Sequence, residues 1–312
     1  MDRIATSTAY NSVLANLMAA QQAQSTATTE ISSQKNATDL QGYASSAETL
    51  VAMQAVQTQT SSYLNQSQIT ASKLSSQDLG MTQLNSSASG AVTAITEALG
   101  SGSGQSLMQS LESSFQEAVG GLNTTYNGEY VFSGGQVETP ATSAKTLSDL
   151  TTAPSIASLF NNDQHIAAAQ VNQNTTVQTG FLADQLGTNL YTAFQAIQAY
   201  DTGPNGPFGN PLTQAQTTFL QGQIASFQSA NTQLTTAQAQ NGLVQNEVTA
   251  AQTDLTNQQT TMSNLIGNIT DVNVAQATAN LQQAQLAVQA SAQAFVALQG
   301  SSLLSVLTAT GH

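Results

Sequence analysis

The placement of proline divides this chain into three parts. All five prolines lie between residues 140 and 211, and residues 1–139 and 212–312 contain none. Proline lacks the backbone donor of a helix interior and its ring clashes with the preceding turn. The two proline-free arms can therefore form long helices, and the middle of the chain is where helices must stop.

The C-terminal arm carries a seven-residue repeat. Its first positions are large and apolar: Val274, Leu281, Val288 and Phe295. The positions three residues later are mostly small: Ala277, Ala284, Ser291 and Leu298. This repeat is the a/d seam of a coiled coil. Small residues at the d positions allow the partner helix to pack closely. Beyond it the arm ends in an apolar tip: Leu303, Leu304, Val306 and Leu307.

The N-terminal arm has a weaker form of the same pattern. One register holds Tyr10, Leu17 and Ile31, and beside it lie Val13, Leu14, Ala20 and Ala27. Polar breaks interrupt the arms at 32–42 and 266–273, at similar distances from their own chain ends. Two terminal helices of similar length are predicted to run side by side, with Thr270 or Asp271 as the N-cap of the second. The pattern leaves open whether each seam faces its own chain or a neighbouring subunit.

The interior of the chain adds more helices and one β-like segment. Long helices are predicted over 43–99 and 212–266, with shorter ones from Leu107 and around Leu190. In the middle, EYVFSGG reads as a strand that runs into a glycine turn, and 167–182 offers a partner strand with Val171 and Val177 on one face.

The predicted fold is mainly α: an elongated rod of long helices with paired N- and C-terminal coiled-coil helices and a small central β-rich insertion. Three domains follow from the breaks. Residues 1–40 with 270–312 form a terminal coiled-coil domain, 41–126 with 187–269 a helical rod, and 127–186 a small β-rich lobe.

Charge excludes two classes of partner. Charged residues make up 7% of the chain, against about 25% in ordinary soluble domains. The only basic side chains are Arg3, Lys35, Lys73 and Lys145, and the formal net charge is −13. Nucleic acids and anionic membrane surfaces both require clustered Lys or Arg, so neither is expected as a partner.

The sequence shows no pattern typical of a transmembrane helix or a signal peptide. No apolar stretch is long enough for a transmembrane helix. The short apolar run near the N-terminus is interrupted by Asn16, and Asp2 offsets Arg3 where a signal peptide needs net positive charge. We therefore expect no cleavable signal peptide. The absence of cysteine excludes disulfides and thiolate metal sites.

Motifs for catalysis are not found. His165, in a loop with Asp163, and the terminal His312 are the only imidazoles. The chain has no G-x-S-x-G, no H-E-x-x-H, no P-loop and no calcium-loop spacing. No catalytic, cofactor-binding or metal-binding residue is predicted, and an enzyme is not expected.

These features together resemble the bacterial flagellin family. Within it, NGEYVFSGGQVETP at 127–140 resembles the signature of the flagellar hook-filament junction proteins, also called hook-associated protein three, with Tyr130, Val131, Phe132 and Gly134 at its centre. Residues 269–307 resemble that family's C-terminal domain, and residues 4–24 match its N-terminal helix more loosely.

The resemblance implies a structural, non-enzymatic protein of the flagellum, without cofactors. Such proteins are exported unfolded through the flagellar type III apparatus, without a cleaved signal, and assemble outside the cell as a ring on the distal end of the hook. There they adapt the hook to the filament, and their terminal helices pack into a tubular core. The implied partners are further copies of the chain, the adjacent hook-associated protein, filament flagellin and an export chaperone that binds the C-terminal region.

Subunit packing is expected along the terminal seams. The residues assigned to it are Tyr10, Leu14, Leu17, Val274, Leu281, Val288, Phe295, Leu298, Leu303, Leu304 and Leu307. The family usually has several basic residues near the end of the first helix, where this chain keeps Lys35 alone. Close apolar packing and neutral hydrogen bonds are therefore expected to hold the assembly.

Two other interpretations stay open. A filament flagellin would have the same terminal helices, but flagellins more often carry a leucine-rich turn where this chain has Tyr130-Val131-Phe132. A secreted adhesin or enzyme would place its site in residues 127–186, which are few for a domain of that kind.

Overall fold

The protein is mainly helical in its computed structural model, which describes residues 2–309 and the side chains of residues 8–299. The α-helices of this described part are α1 (Asp2–Ser33), α2 (Ala47–Ser101), α3 (Leu107–Leu122), α4 (Leu147–Thr152), α5 (Ala183–Thr202), α6 (Gln214–Thr270) and α7 (Val274–Ala309). Short 3-10 helices cover Leu40–Ser46 and Ile156–Leu159. The predicted mainly α fold with a small β insertion is confirmed.

Helix ends follow local chemistry. All five prolines lie outside helices, as predicted. Helix α6 begins with a capping box, in which Gln216 N donates to Thr213 Oγ1 (3.2 Å) and Thr213 N donates to Gln216 Oε1 (3.0 Å). The predicted cap of α7 is wrong. Asn273 is the cap, because its Oδ1 accepts from Gln276 N (3.2 Å), whereas Thr270 still belongs to α6.

The described strands form two small antiparallel hairpins. Strand β1 (Thr125–Tyr126) pairs with β2 (Glu129–Tyr130), and β3 (Ala168–Gln170) pairs with β4 (Thr176–Gln178). The sequence predicted one strand over EYVFSGG with a partner in 167–182. Instead, each segment closes on its own neighbour, because the turns at 127–128 and 171–175 return the chain at once.

The chain forms two compact units. Unit 1 contains residues 1–58 and 260–312, and unit 2 contains residues 59–259. Residues 127–186 therefore belong to the same unit as the helices around them, while α2 and α6 contribute residues to both units.

An aromatic cluster lies at the centre of unit 2. Phe115 of α3 contacts Tyr191 and Phe194 of α5, with ring centroids 5.0 and 5.4 Å apart, and Phe194 contacts Phe227 of α6 at 4.9 Å. All four rings are fully buried. Burial also raises the pKa of the Tyr191 phenol, whose hydroxyl donates to Thr142 Oγ1 (3.2 Å). Offset and edge-to-face contacts of this kind add to the stabilisation from burial.

The second hairpin packs separately against the long helices. Val171 and Val177 meet Leu74 of α2 and Val248 of α6 in a small apolar cluster. The fully buried Gln77 lies one turn beyond Leu74, and its Nε2 donates to Thr179 O (2.9 Å). A buried amide thus attaches the end of the hairpin to α2.

The YVFSGG segment is a buried turn and not an extended strand. Only Tyr130 of the segment lies in a strand, and Val131 and Phe132 are buried in the turn that follows. Phe132 sits over Gly80 of α2, where an added methyl group would lie 2.7 Å from its ring. Phe132 O accepts from Ala183 N (3.0 Å), the first residue of α5. The turn therefore joins α2 to the start of α5.

The carboxylate of Asp163 packs against the two glycines of this turn, Gly134 and Gly135. Asp163 Oδ1 accepts from Gly135 N (2.8 Å) and from His165 N (2.9 Å). These two backbone donors, Gly135 first, hold the pKa of Asp163 below its ordinary value. Gly134 has φ +67°, and any Cβ there would collide with the Asp163 carboxylate.

A matched pair of glycine substitutions tests this arrangement. Gly128 also has a left-handed φ, +85°, but has open space around it. Gly128→Ala should cost about 1 kcal/mol of unfolding free energy, from backbone strain alone. Gly134→Ala should cost about 3 kcal/mol, because the Asp163 carboxylate must also move. Urea unfolding measures both, and equal losses would contradict the role assigned to Asp163.

Candidate functional site

The terminal helices of unit 1 pair along the predicted seam. On α7 the buried and half-buried positions alternate at steps of four and three: Ala277, Leu281, Ala284, Val288, Ser291, Phe295 and Leu298. On α1 the same spacing selects Tyr10, Val13, Leu17, Ala20, Gln24, Ala27 and Ile31. Periodic burial of this kind is the signature of helices packed along a heptad seam.

Small residues and one ring pair set the contact. Ala27 and Ala277 are 3% and 1% exposed, so the helices approach closely there. Towards the other end, the rings of Tyr10 and Phe295 contact with centroids 4.9 Å apart. Residue 10 of one helix thus meets residue 295 of the other, while residue 36 lies beside residue 270, so the pair is antiparallel.

A polar junction closes the pair where both helices end. Asn36 N donates to Thr270 O (2.7 Å), and Val272 N donates to Gln34 O (3.1 Å). The Asn36 side chain donates to the carbonyls of Ile269 and Asp271, each at 3.1 Å. These bonds satisfy backbone groups that neither helix can satisfy internally.

Lys35 and Asp271 add a charge to this junction. Lys35 Nζ lies 2.6 Å from Asp271 Oδ1, the one ion pair among the side chains of residues 8–299. It also donates to Thr270 Oγ1 (3.2 Å). The hydrogen bond from Lys35, and next that from Thr270, hold the pKa of Asp271 below its ordinary value. Both side chains of the pair are about half exposed or more, so solvent weakens the attraction.

Apolar side chains are also found on the outward faces of both helices. Exposed fractions are 38% for Leu14 and 64% for Met18 on α1. On α7 they are 50% for Val274, 67% for Leu286 and 66% for Val296. These five side chains are spread along the two helices and are candidate contacts for a further helix.

An open groove of about 670 Å³ runs along the same pair. Alanines make up much of its wall: Ala19, Ala20, Ala23, Ala27, Ala284 and Ala287. Its polar lining includes Gln22, Glu30 and Gln283, with no basic side chain. Small alanine side chains and amide groups in the groove lining suit another helix of similar composition better than a charged ligand.

The structure separates the residues that the sequence assigned to subunit packing. Within the chain, Tyr10, Leu17, Leu281, Val288, Phe295 and Leu298 are half-buried in the α1–α7 seam. Leu14 and Val274 lie outside that seam on exposed faces, because each is turned away from the partner helix. Leu303, Leu304 and Leu307 lie outside the described side chains. A role of this set in subunit packing stays a prediction.

The family signature residues lie in unit 2, in the turn described above. Tyr130 is half-buried, Val131 and Phe132 are buried, and Gly134 meets Asp163. The sequence had not indicated that Asp163 belongs with this turn. Its only sequence signal is an acidic residue in a loop, which reveals nothing of a partner so distant along the chain.

No group of three or more His, Cys, Asp or Glu side chains comes together within the described residues. The carboxylate of Asp163, beside His165, is already bonded to backbone amides of the loop and the turn. Several described helices have the length to cross a bilayer, but none sustains the apolar stretch that this would require.

Outward-facing residues of α7 were missed at the level of the sequence. Ala275, Ala279, Leu286, Ala290 and Ala297 follow one another at steps of four and seven, on the face opposite the seam, and all are exposed. The repeat was visible in the sequence, but alanine spacing is inconspicuous beside the stronger a/d register. We call these five residues the outer stripe.

Comparison with known proteins gives a family match for the C-terminal part of the chain. Residues 224–307, which lie on α6 and α7, match the family model described as the C-terminal helical region of bacterial flagellin. The C-terminal part of the chain is thus flagellin-like. Among curated proteins, none matches this sequence.

Two solved structures share the fold. One is a Vibrio parahaemolyticus protein described as a flagellar hook-associated protein, with a TM-score of 0.58 and 13% identity, over 72% of this chain and 96% of that one. The other is FlgL of Bacillus cereus, with a TM-score of 0.54 and 13% identity, over 70% of this chain and 99% of that one. At these identities the likeness is one of fold.

The junction of unit 1 predicts a specific titration. Because the pKa of Asp271 is lowered, its ion pair stabilises unit 1 at pH values above 3.8, the ordinary pKa of this carboxyl group. That contribution is lost as the pH falls through the lower, folded-state pKa. An NMR titration of the Asp271 carboxyl signal should therefore have its midpoint below 3.8.

Lysine substitutions provide the comparison. Lys35→Gln should move the Asp271 midpoint upward, towards 3.8, because the strongest donor is removed. Lys145→Gln removes the same charge from unit 2 and should leave the midpoint unchanged. If Lys35→Gln leaves the Asp271 titration midpoint unchanged, the assigned ion pair is refuted.

Proposed function

We propose that this protein is a structural subunit of the bacterial flagellum, and specifically a hook-filament junction protein. It assembles on the distal end of the hook and adapts the hook to the filament. The observation that carries the proposal is the fold shared with flagellar hook-associated proteins, over 96% and 99% of their chains. The signature turn at 130–134 supports the same assignment, through the resemblance of its sequence.

A filament flagellin is the second candidate. The match of residues 224–307 to the flagellin C-terminal region supports both candidates equally, since filament and junction proteins would have this region in common. Neither candidate involves catalysis, which agrees with a site made of helix faces and not of reactive groups. A secreted adhesin or enzyme is the least supported of the alternatives.

Self-assembly would use the paired terminal helices. The seam between α1 and α7 is satisfied within the chain, so a second copy would meet the outward faces: Met18, Leu286, Val296 and the alanine-walled groove. These surfaces are apolar, and the small alanine side chains of the groove let a neighbouring helix approach closely. Copies packed in this way would form a ring or tube, bounded by the adjacent hook-associated protein and by filament flagellin.

Export through the type III apparatus would place the protein outside the cell, on the flagellum. Before assembly, α7 would expose Leu286 and Val296 to water. An export chaperone that binds the C-terminal region would cover such groups until a neighbouring subunit replaces it.

Assembly should depend little on ionic strength. Salt screens charge–charge attraction. The helix faces that would meet a second copy are mainly apolar or amide groups, with Glu30 the one charged side chain of the groove lining, and the one ion pair of the described side chains lies within the chain.

Localisation distinguishes the junction protein from the flagellin. The turn between β3 and β4 exposes Gln173 and Asn174, so an epitope tag inserted between them should leave unit 2 folded. Immunogold electron microscopy of flagella should show one band of label where hook meets filament. Label along the whole filament would establish a flagellin, and flagella without label would overturn both assignments.

A pair of charge substitutions tests the packing surface. Leu286→Glu places a charge on the outer stripe of α7, whereas Gln285→Glu adds the same charge to the adjacent exposed residue. Neither position is in the α1–α7 seam, so circular dichroism should show equal helix content. Incorporation into flagella should fall at least tenfold for Leu286→Glu alone, because burying an unpaired carboxylate is costly. Equal incorporation would exclude the outer stripe as a subunit contact.

A further inference from the structure

Three Asn-Gly pairs occur in the chain, and the fold places them in different environments. They are Asn127-Gly128, Asn205-Gly206 and Asn241-Gly242. Asn followed by Gly is chemically labile, because glycine has no Cβ to shield its amide nitrogen from the preceding side chain. The nitrogen must also be free of a hydrogen bond if it is to attack.

Asn127-Gly128 meets both conditions. The pair forms the two-residue turn between β1 and β2, with φ values of +51° and +85°. These values define a type I′ turn, for which Asn-Gly is the preferred sequence. Both residues are exposed, and no atom would contact a Cβ at Gly128. Within the described chain, neither the Asn127 side chain nor the Gly128 amide makes a hydrogen bond.

The other two pairs are protected by their hydrogen bonds. Gly206 N donates to Gly203 O (3.1 Å), although Asn205 itself is exposed. Asn241 is fully buried in α6, where its Nδ2 donates to Leu74 O (3.0 Å). Gly242 lies in the interior of the same helix, so its amide belongs to the helical hydrogen-bond ladder.

We propose that Asn127 is a site of spontaneous deamidation in the folded protein. The Gly128 nitrogen attacks Asn127 Cγ, and a new C–N bond forms. The bond from Cγ to Nδ2 breaks, and the side-chain nitrogen leaves as ammonia with the proton of the Gly128 amide. Water then opens the five-membered imide at either carbonyl, which leaves aspartate or isoaspartate at position 127.

Brief opening of the turn makes the attack geometry accessible. The hairpin has only two residue pairs, Thr125 with Tyr130 and Tyr126 with Glu129. Short pairings at an exposed end open at low cost, without unfolding of the rest of the unit. Tyr130 N and Val131 N donate to Val137 O (2.8 Å) and Thr124 O (3.1 Å), so the chain beyond the turn stays attached.

The product changes the surface and not the core. A carboxylate appears two residues before Glu129 and adds one negative charge to an acidic chain. Val131 and Phe132 remain buried below the turn. The proportion of converted chains would thus record the age of the folded protein.

Peptide mapping by mass spectrometry tests the proposal on the purified full-length chain. Incubated folded at neutral pH, the protein should convert Asn127 at least tenfold faster than Asn205 or Asn241. Incubated in concentrated urea, all three should convert at comparable rates, because the hydrogen bonds that protect two of them are gone. Conversion of Asn205 or Asn241 at the Asn127 rate in the folded chain would overturn the proposal.

Substitutions exclude an indirect effect. Asn127→Gln keeps an amide in the turn but needs a larger ring for the same attack, so this variant should show no conversion at position 127. Asn127→Asp carries one of the two products and should unfold at the same urea concentration as the parent. If folded parent protein is as resistant at Asn127 as at Asn241, the exposed turn does not react and the assignment fails.

Discussion

Helices in this protein approach one another through small side chains because the chain has almost no ion pairs to offer. With only four basic residues, opposite charges cannot organise the packing. Ala27 and Ala277 let α1 and α7 meet closely, and Gly80 and Gly121 do the same for α2 and α3. Close contact maximises dispersion attraction between the helices, and neutral amides supply the remaining specificity.

Amide side chains perform the task that salt bridges perform in ordinary helical proteins. Gln77 bonds to Thr179 O, Asn241 to Leu74 O, and Asn36 joins the ends of α1 and α6. Gln77 and Asn241 are fully buried, and a buried amide is costly unless it is bonded, so these two contribute to the specificity of the packing. Such a scaffold offers few charges for salt to screen.

The turn at residues 130–134 is buried within unit 2, whereas the terminal helices of unit 1 expose apolar side chains. Phe132 of the turn is buried against Gly80 of α2, and its carbonyl accepts from the first residue of α5. Unit 1 satisfies its seam internally but leaves Met18, Leu286 and Val296 exposed. In the proposed function, the first arrangement provides a rigid body and the second an adhesive surface for further copies.

The sequence by itself determined the six longest helices, most of their ends to within a few residues, and the register of the terminal seam. Proline exclusion and heptad periodicity are local properties, so no knowledge of the fold was needed. Only the tertiary structure decided that YVFSGG is a buried turn and that the Asp163 carboxylate packs against Gly134 and Gly135. It also decided that Leu14 and Val274 lie outside the seam. These outcomes depend on contacts between residues far apart in the chain, which no local pattern records.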